Sequence, residues 1–381
     1  MSEIRVNSVK GVGASAAAIT VNNTDGTCTA NITNNLSNKN LIINGACLIS
    51  QRGTSVTSSA TSGQYIVDRF FTFADATDQA SFTHAQVSDA PTGFSKSFKL
   101  SVGTAETTLD ANEALQFLQR IEAQDLQQLD NGLSTAKSVT LSFYVKSYQT
   151  GTFNVNLYKS DNTVRHISAT YTVNQSATWE KKTITFAGDT SGGGIDDDNG
   201  NGLSVYWHLA AGSNFTSADS TSWGNYSAAG FAYGQAVNLM SSTDNYWQIT
   251  GVQLEVGSVA TDFEHRSFGQ ELALCKRYYN RFTAGGTYAR FADGQVQSTD
   301  QAEFTFQHPV TMRAAPTFGY GGSVAGWTEN SLKSISSIAI PDSNENMCTL
   351  TATTSGCTRG YAIDLIANGD ATAYIELISE L

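Results

Sequence analysis

The sequence predicts an all-β protein: an antiparallel β-sandwich of jelly-roll-like type followed by a smaller β-domain. Only 15% of the 381 residues are charged and 40% are hydrophobic. Much of the rest is Ser, Thr, Asn and Gly, the composition of short strands joined by polar turns and not of helical bundles. Apolar and polar residues alternate with a period of two in SFKLSV, SVTLSFYVKS, FNVNLY, ATYTV, KKTITFAG, LSVYWHLAAG and NYWQITGVQLEVG, the signature of half-buried strands. The chain is also longer than one hydrophobic core usually serves, so more than one domain is expected.

Residues 1 to 40 read as weak strands, IRVNSV, AAITVNN and CTANI, separated by Gly, Asn and Asp turns. They are too few to enclose a core, so this segment is expected to need a partner, as an attachment and oligomerisation element. Residues 41 to 266 form the sandwich. In SVTLSFYVKS, Val139, Leu141, Phe143 and Val145 point to one side, and Ser138, Thr140, Ser142, Tyr144 and Lys146 to the other, where water or another sheet is expected.

One segment departs from the strand period. Residues 107 to 129 place Leu115, Leu118, Ile121, Leu126 and Leu129 near helical spacing, so a short helix is predicted in its second half, while Ala114 to Leu118 also suits the start of a strand. Residues 267 to 282 read as a connecting helix or hinge, and 283 to 381 as the distal β-domain. The final AYIELISEL is apolar and nearly uncharged, an aggregation hazard that burial against sister chains would remove.

A net charge of −12 opposes binding to nucleic acid or to anionic membranes, because phosphates are neutralised by Lys and Arg. The N-terminus has no uninterrupted apolar stretch and no segment approaches the roughly 20 apolar residues of a membrane span, so neither Sec export nor membrane insertion is expected. Five cysteines without CxxC spacing predict small buried thiols, with a Cys348–Cys357 hairpin bridge as the alternative. The histidines His84, His166, His208, His265 and His308 form no HxH, HExxH or Ser-His-Asp signature, and no catalytic residues are expected.

Asp196, Asp197 and Asp198 lie in a Gly- and Asn-rich loop. Asp196, Asp198 and Asn199 with backbone carbonyls would suit Ca²⁺; the spacing and terminal Glu of an EF-hand are missing, which favours a solvated turn and no cofactor. Trp207, Trp223, Tyr226, Phe231, Tyr233 and Trp247 are concentrated in one stretch. Most suit core packing, but Trp223 and Tyr226, in the polar loop STSWGNYSAAG, are the candidates for exposed sugar-stacking rings. Glu255, Glu264, His265 and Arg266 are expected to form an ion-pair cluster at the domain junction.

Several phrases resemble a family of bacteriophage tail-fibre and virion-appendage proteins with a carbohydrate-binding-module-like β-sandwich. They are NLIINGACLISQRGTS at 40 to 55, YIVDRFF at 65 to 71, FAGDTSGGGIDDDNGNGLSVYWHLAAGS at 186 to 213, ITGVQLEVGSVATDFEHRSFGQELALCKRYY at 249 to 279, and PVTMRAAPTF at 309 to 318. Asp262 stands where the family usually has Pro. The opening SEIRVNSV is similar to the start of structural proteins of marine cyanobacterial phages. The resemblance implies a non-enzymatic virion protein made in the host cytoplasm: a homotrimeric tail fibre or receptor-binding appendage, attached to other virion proteins through its N-terminal segment and contacting host-surface polysaccharide. A capsid-surface fibre, or a polysaccharide-degrading tailspike, is the alternative; the sequence repeat of a long β-helical tailspike is absent.

Overall fold

In the computed structural model, which describes residues 8–9, 19–21, 28–30, 38–59, 63–75 and 80–381, the alternating segments pair antiparallel throughout. One sheet has six strands in the order Glu180–Phe186, Val139–Ser147, Tyr246–Val256, Ser97–Thr104, Ser81–Val87, Ser55–Ser59. The other has seven, Gly224–Asn225, Arg165–Val173, Gly151–Lys159, Asn201–Ala211, Ala114–Glu122, Phe71–Asp75, Gln64–Tyr65. Their facing sides enclose a core that includes Leu141, Phe143, Ile249, Phe117, Val155 and Leu157. At its centre Trp207 and Trp247, both fully buried, meet Phe117 at 5.8 and 5.3 Å between ring centroids. Each such pair contributes about 1 kcal/mol beyond the area it buries.

The outward side of Val139–Ser147 is only partly open to water, at Tyr144 and Lys146. Thr140 and Ser142 are buried, and the Tyr144 ring packs on Phe94, which also meets Phe263 and His265 at 5.0 and 5.3 Å. This aromatic cover depends on Gly251. The ladder between Val139–Ser147 and Tyr246–Val256 is irregular between Ser142 and Tyr144; opposite it Gly251 takes φ 63°, and a Cβ there would lie 2.7 Å from the Phe94 ring. His265 therefore packs against the Phe94 and Phe263 rings instead of joining the expected ion-pair cluster. Arg266 pairs with Glu264 at 3.7 Å and with buried Glu271 at 3.4 Å, while Glu255 accepts from Thr261.

In the segment with helical spacing, Ala114–Glu122 is a central strand and Ala123–Leu129 a 3₁₀ helix that buries Leu126 and Leu129. The α-helix Phe268–Lys276 starts at a capping box of Ser267 and Gln270. It ends before Tyr279–Thr283, which is already a strand of the distal domain, so the expected connector is shorter than 267 to 282. Distal strands form a three-stranded sheet, Tyr279–Thr283, Tyr374–Ile378, Thr317–Gly321, and a seven-stranded one around a separate core that includes Phe304, Leu350 and Leu365. Tyr374–Ile378, the apolar strand read as a hazard unless paired or buried, is paired on both edges within its own chain. Both edges are thereby removed without an oligomer.

The N-terminal strands Ser8–Val9, Ile19–Val21 and Cys28–Ala30 pair with one another; the rest of the expected attachment segment up to residue 37 lies outside the described residues. Cys47, Cys275, Cys348 and Cys357 are buried free thiols, so the 348–357 bridge is not formed. Burial pushes the Cys47 thiol up to about 12 and the Cys348 thiol to about 11.

The sandwich and the distal domain meet through the phrases QRG, DRF and KRYY. Glu380 is almost buried and takes Arg69 at 2.6 Å and Arg52 at 3.2 Å. Arg69 lies 3.3 Å over the Tyr278 ring and Arg52 3.4 Å over Tyr279, flat guanidinium contacts that a lysine would not reproduce. Arg277 grips Glu122 with two bonds of 2.8 Å. Arg69 holds φ 73°, a left-handed conformation that costs about 1 kcal/mol or more outside glycine and is maintained by these contacts. Glu380→Ala leaves two largely buried cations without their carboxylate, so a loss of about 3–5 kcal/mol of unfolding free energy is expected. Urea denaturation checks this; a loss under about 1 kcal/mol would place the pair with weak surface ion pairs.

Candidate functional site

The outward face of the seven-stranded sheet carries the site. Alternation along its strands sends Val205, Trp207, Val155 and Leu157 into the core and leaves Tyr206 and His208, Asn154, Asn156 and Tyr158 on the opposite side. Pairing of Gly151–Lys159 with Asn201–Ala211 puts Asn156 opposite Tyr206 and Asn154 opposite His208. On the other neighbour, Gln116 lies opposite His208, and Asp75 opposite Ala114 at the end of Phe71–Asp75.

The segment between 212 and 236 folds over this face and is held there by polar side chains of the strands. Asn156 Nδ2 donates to Phe231 O at 2.5 Å, Asn154 Nδ2 to Tyr233 O at 2.8 Å, and the Asn154 N–H to Gln235 Oε1 at 2.6 Å. Phe231 is consequently fixed as a hub, with ring centroids 5.1 Å from Tyr206, 5.3 Å from Tyr226 and 5.7 Å from Tyr158. Around it opens a cleft of about 270 Å³ lined by Asp75, Gln116, Tyr158, Tyr206, Phe215, Tyr226 and Phe231.

Tyr226 is the exposed ring, with 43% of its surface accessible. Its backbone N–H donates to Val164 O at 2.9 Å, where Gly224–Asn225 pairs with the edge of Arg165–Val173, so an exposed side chain stands on an anchored backbone. Burial raises the phenol pKa values of Tyr158, Tyr206 and Tyr226, and the Asp75 carboxylate adds to the rise at Tyr226. All three are neutral hydroxyls able to donate and accept. The cleft thus offers aromatic faces, phenolic hydroxyls, an amide and a carboxylate, the set that suits a ring with an apolar face and several hydroxyls.

Of the two rings named from the sequence, the fold brings Tyr226 into this cluster. Trp223 lies beside it in a separate depression with Arg165, Asp189 and Ser191. There its indole N–H donates to Ala187 O at 2.7 Å and its ring packs against the sandwich core. Trp207 and Trp247 are core residues. Tyr158, Tyr206, Gln116 and Asp75 were not singled out from the sequence; Tyr158 and Tyr206 carry a signal there, as large rings at outward positions of two strands, but their adjacency depends on strand order.

The acidic loop does different work at each residue. Asp196 Oδ1 accepts from Asn162 Nδ2 at 3.2 Å, and Asp198 Oδ1 from the Gly200 N–H at 2.8 Å. Asn199 Nδ2 donates to Arg313 O at 2.6 Å, and Arg313 returns a bond to Asn199 O at 3.0 Å, so Asn199 serves the contact with the distal domain. Among the described residues no group of three or more His, Cys, Asp or Glu is arranged to hold a metal ion. The loop is shaped from below by Lys159, fully buried, which donates to Gly192 O and Gly193 O at 2.8 and 2.7 Å.

No known protein family matches the sequence, and no curated protein does. Fold and cleft together define a two-sheet antiparallel sandwich protein with a ring-lined surface site. Solved structures similar to it include a putative sugar binding protein from Bacteroides thetaiotaomicron, 13% identical over 57% of this chain and 100% of that one, with a TM-score of 0.31. The family 11 carbohydrate-binding module from Clostridium thermocellum, solved with a β-1,3-1,4-mixed-linked tetrasaccharide, is 13% identical over 56% of this chain and 98% of the module, with a TM-score of 0.27. The enzymatically active domain of bacteriophage CBA120 tailspike protein 4 is 14% identical over 57% of this chain, with a TM-score of 0.30. The match spans only 21% of that tailspike chain.

His208 sits behind the cleft, fully buried, with its Nδ1–H on Asn154 Oδ1 at 2.9 Å and Nε2 without a partner among the described residues. Burial, with a smaller effect of His166, holds its pKa down at about 3. An imidazole depressed below its unfolded value keeps the folded state short of a proton as pH falls. Its contribution to stability is therefore complete above about pH 6.5 and lost as pH falls toward 3. The stability difference between the wild type and His208→Gln should accordingly shrink by about 1.4 kcal/mol per pH unit below 6.5. Urea titrations at pH 7, 6 and 5 check this, and a difference that is independent of pH would mean that His208 is not held neutral.

Proposed function

We propose that this protein is a non-catalytic glycan-binding appendage of a bacteriophage virion, which holds host-surface polysaccharide in the cleft of its sandwich. The observation that carries the binding reading is the group Tyr158, Tyr206, Tyr226 and Phe231 on the outward face of the seven-stranded sheet, bordered by Gln116 and Asp75. Rings stack on the C–H faces of a pyranose while the amide, carboxylate and phenols take its hydroxyls. The non-catalytic reading draws on the same lining: glycoside hydrolysis normally needs two carboxylates across the bond, and Asp75 is the one acid among these residues. The virion setting draws on the likeness of residues 40 to 280 to phage appendage proteins, and the homotrimer on the same likeness together with the weak N-terminal strands.

On immobilised polysaccharide from host cells, Tyr226→Ala should bind about tenfold more weakly or worse, the loss expected for one stacking ring, with its thermal midpoint nearly unchanged. Trp223→Ala should chiefly lower the thermal midpoint. Equal binding by wild type and Tyr226→Ala would overturn the assignment of the cleft.

Incubation with the same polysaccharide should release no new reducing ends, and their appearance would make the protein a tailspike enzyme instead. Light scattering should give three chains per particle; a stable monomer would exclude the trimer. Immunogold electron microscopy should label the virion tail, whereas capsid labelling would make the protein a capsid fibre.

A further inference from the structure

The distal domain carries a second ring-lined cleft, independent of the first. The hairpin Val324–Thr328 to Ser331–Ser334 turns through Glu329 and Asn330, with φ 52° and 57°, the left-handed pair of a tight two-residue turn. Its register places Trp327 opposite Leu332 on one side and opposite Asp364 on the other, so these three share a face. Two residues along Ala362–Ala367, Ile366 lies opposite Arg290, which brings both onto that same face.

This is the side turned away from the distal core, where Ile363 and Leu365 lie. Tyr288 overhangs it from a loop pinned to the strand end by the Ala367 N–H on Ala289 O and the Gly369 N–H on Thr287 O, at 2.9 and 2.8 Å. The result is a cleft of about 410 Å³ lined by Tyr288, Arg290, Trp327, Leu332 and Ile366.

Its large side chains are unusually open: Tyr288 is 61% exposed, Leu332 43% and Trp327 38%. An apolar, ring-lined concavity with a polar border is the form of a small-ligand site. The border selects the ligand class. Arg290, the one cation among the lining residues, is ion-paired with Asp364, and Asp293 adds a further carboxylate near it. No positive charge is left over for a phosphate, sulfate or uronate. Guanidinium donors beside carboxylate acceptors instead suit neighbouring hydroxyls.

We propose that this face of the distal domain is a second carbohydrate site, taking a neutral hexose unit stacked between Tyr288 and Trp327 with hydroxyls on Arg290 and Asp364. Two clefts on one chain would bind a repeating polysaccharide with avidity greater than either site provides.

The test uses the full chain carrying Tyr226→Ala, which disables the sandwich cleft, so that the two sites fail separately. Saturation-transfer NMR and tryptophan fluorescence are recorded against neutral oligosaccharides of glucose, galactose, mannose, rhamnose and N-acetylglucosamine. At least one should bind, and adding Trp327→Ala should weaken it roughly tenfold or more; Tyr288→Ala, in a loop outside the sheet, should do the same if Trp327→Ala fails to fold. The proposal is overturned by a panel without binding, by binding that both substitutions leave intact, or by a concentration-dependent self-association that Trp327→Ala abolishes, since a second copy of the chain would then be the occupant.

Discussion

Glu380, gripped by Arg52 and Arg69 and backed by Tyr278 and Tyr279, is the contact on which the arrangement of the two domains depends. Glu380 lies more than 300 residues in sequence from both of its arginines. Each of the three charges is largely removed from water, so each is stable only while the others are in place. Burial works against the Arg69 charge, and Glu380 with the neighbouring phenols outweighs it, so its pKa is raised. Around this centre Arg277 on Glu122 and Arg313 on Asn199 extend the joint. The phrases QRG, DRF and KRYY supply much of it, which gives those residue types a physical reason: they hold a joint.

With the domains held in this way, two outward sheet faces are left for contact with other molecules. On the sandwich, buried Asn154 and Asn156 tie the 212 to 236 segment down by its backbone, so that Phe231 and Tyr226 are set by the sheet and not by a free loop. In the distal domain a two-residue hairpin and a pinned loop do the same for Trp327 and Tyr288. Both surfaces are preorganised, and rings held in place in advance lose little side-chain freedom on binding.

Much of the fold was legible because strand alternation is a local signal. The period of two in SVTLSFYVKS, LSVYWHLAAG and NYWQITGVQLEVG correctly separates core residues such as Phe143 and Trp207 from their neighbours. The reading of what lies on the far side of a strand was less successful. Thr140 and Ser142, expected to face water or another sheet, are buried, and on the same side the Tyr144 ring packs with Phe94, which also meets Phe263 and His265 from another stretch of chain. Similarly, Tyr226 was legible as a ring in a polar loop, whereas Trp223, in the same loop, turned out to be tethered to Ala187. Nothing within that loop distinguishes the two rings.

The sequence by itself determined the β class, the alternation that fills two cores and the turns that Gly and Asn permit, because these follow from steric and hydrophobic preferences acting over a few residues. Only the tertiary structure decided which outward rings meet, that Tyr374–Ile378 is paired on both edges by its own chain, and that Arg52, Arg69 and Glu380 form one cluster. Those outcomes depend on strand order and on contacts across hundreds of residues, and no local pattern encodes which distant strand will become a neighbour.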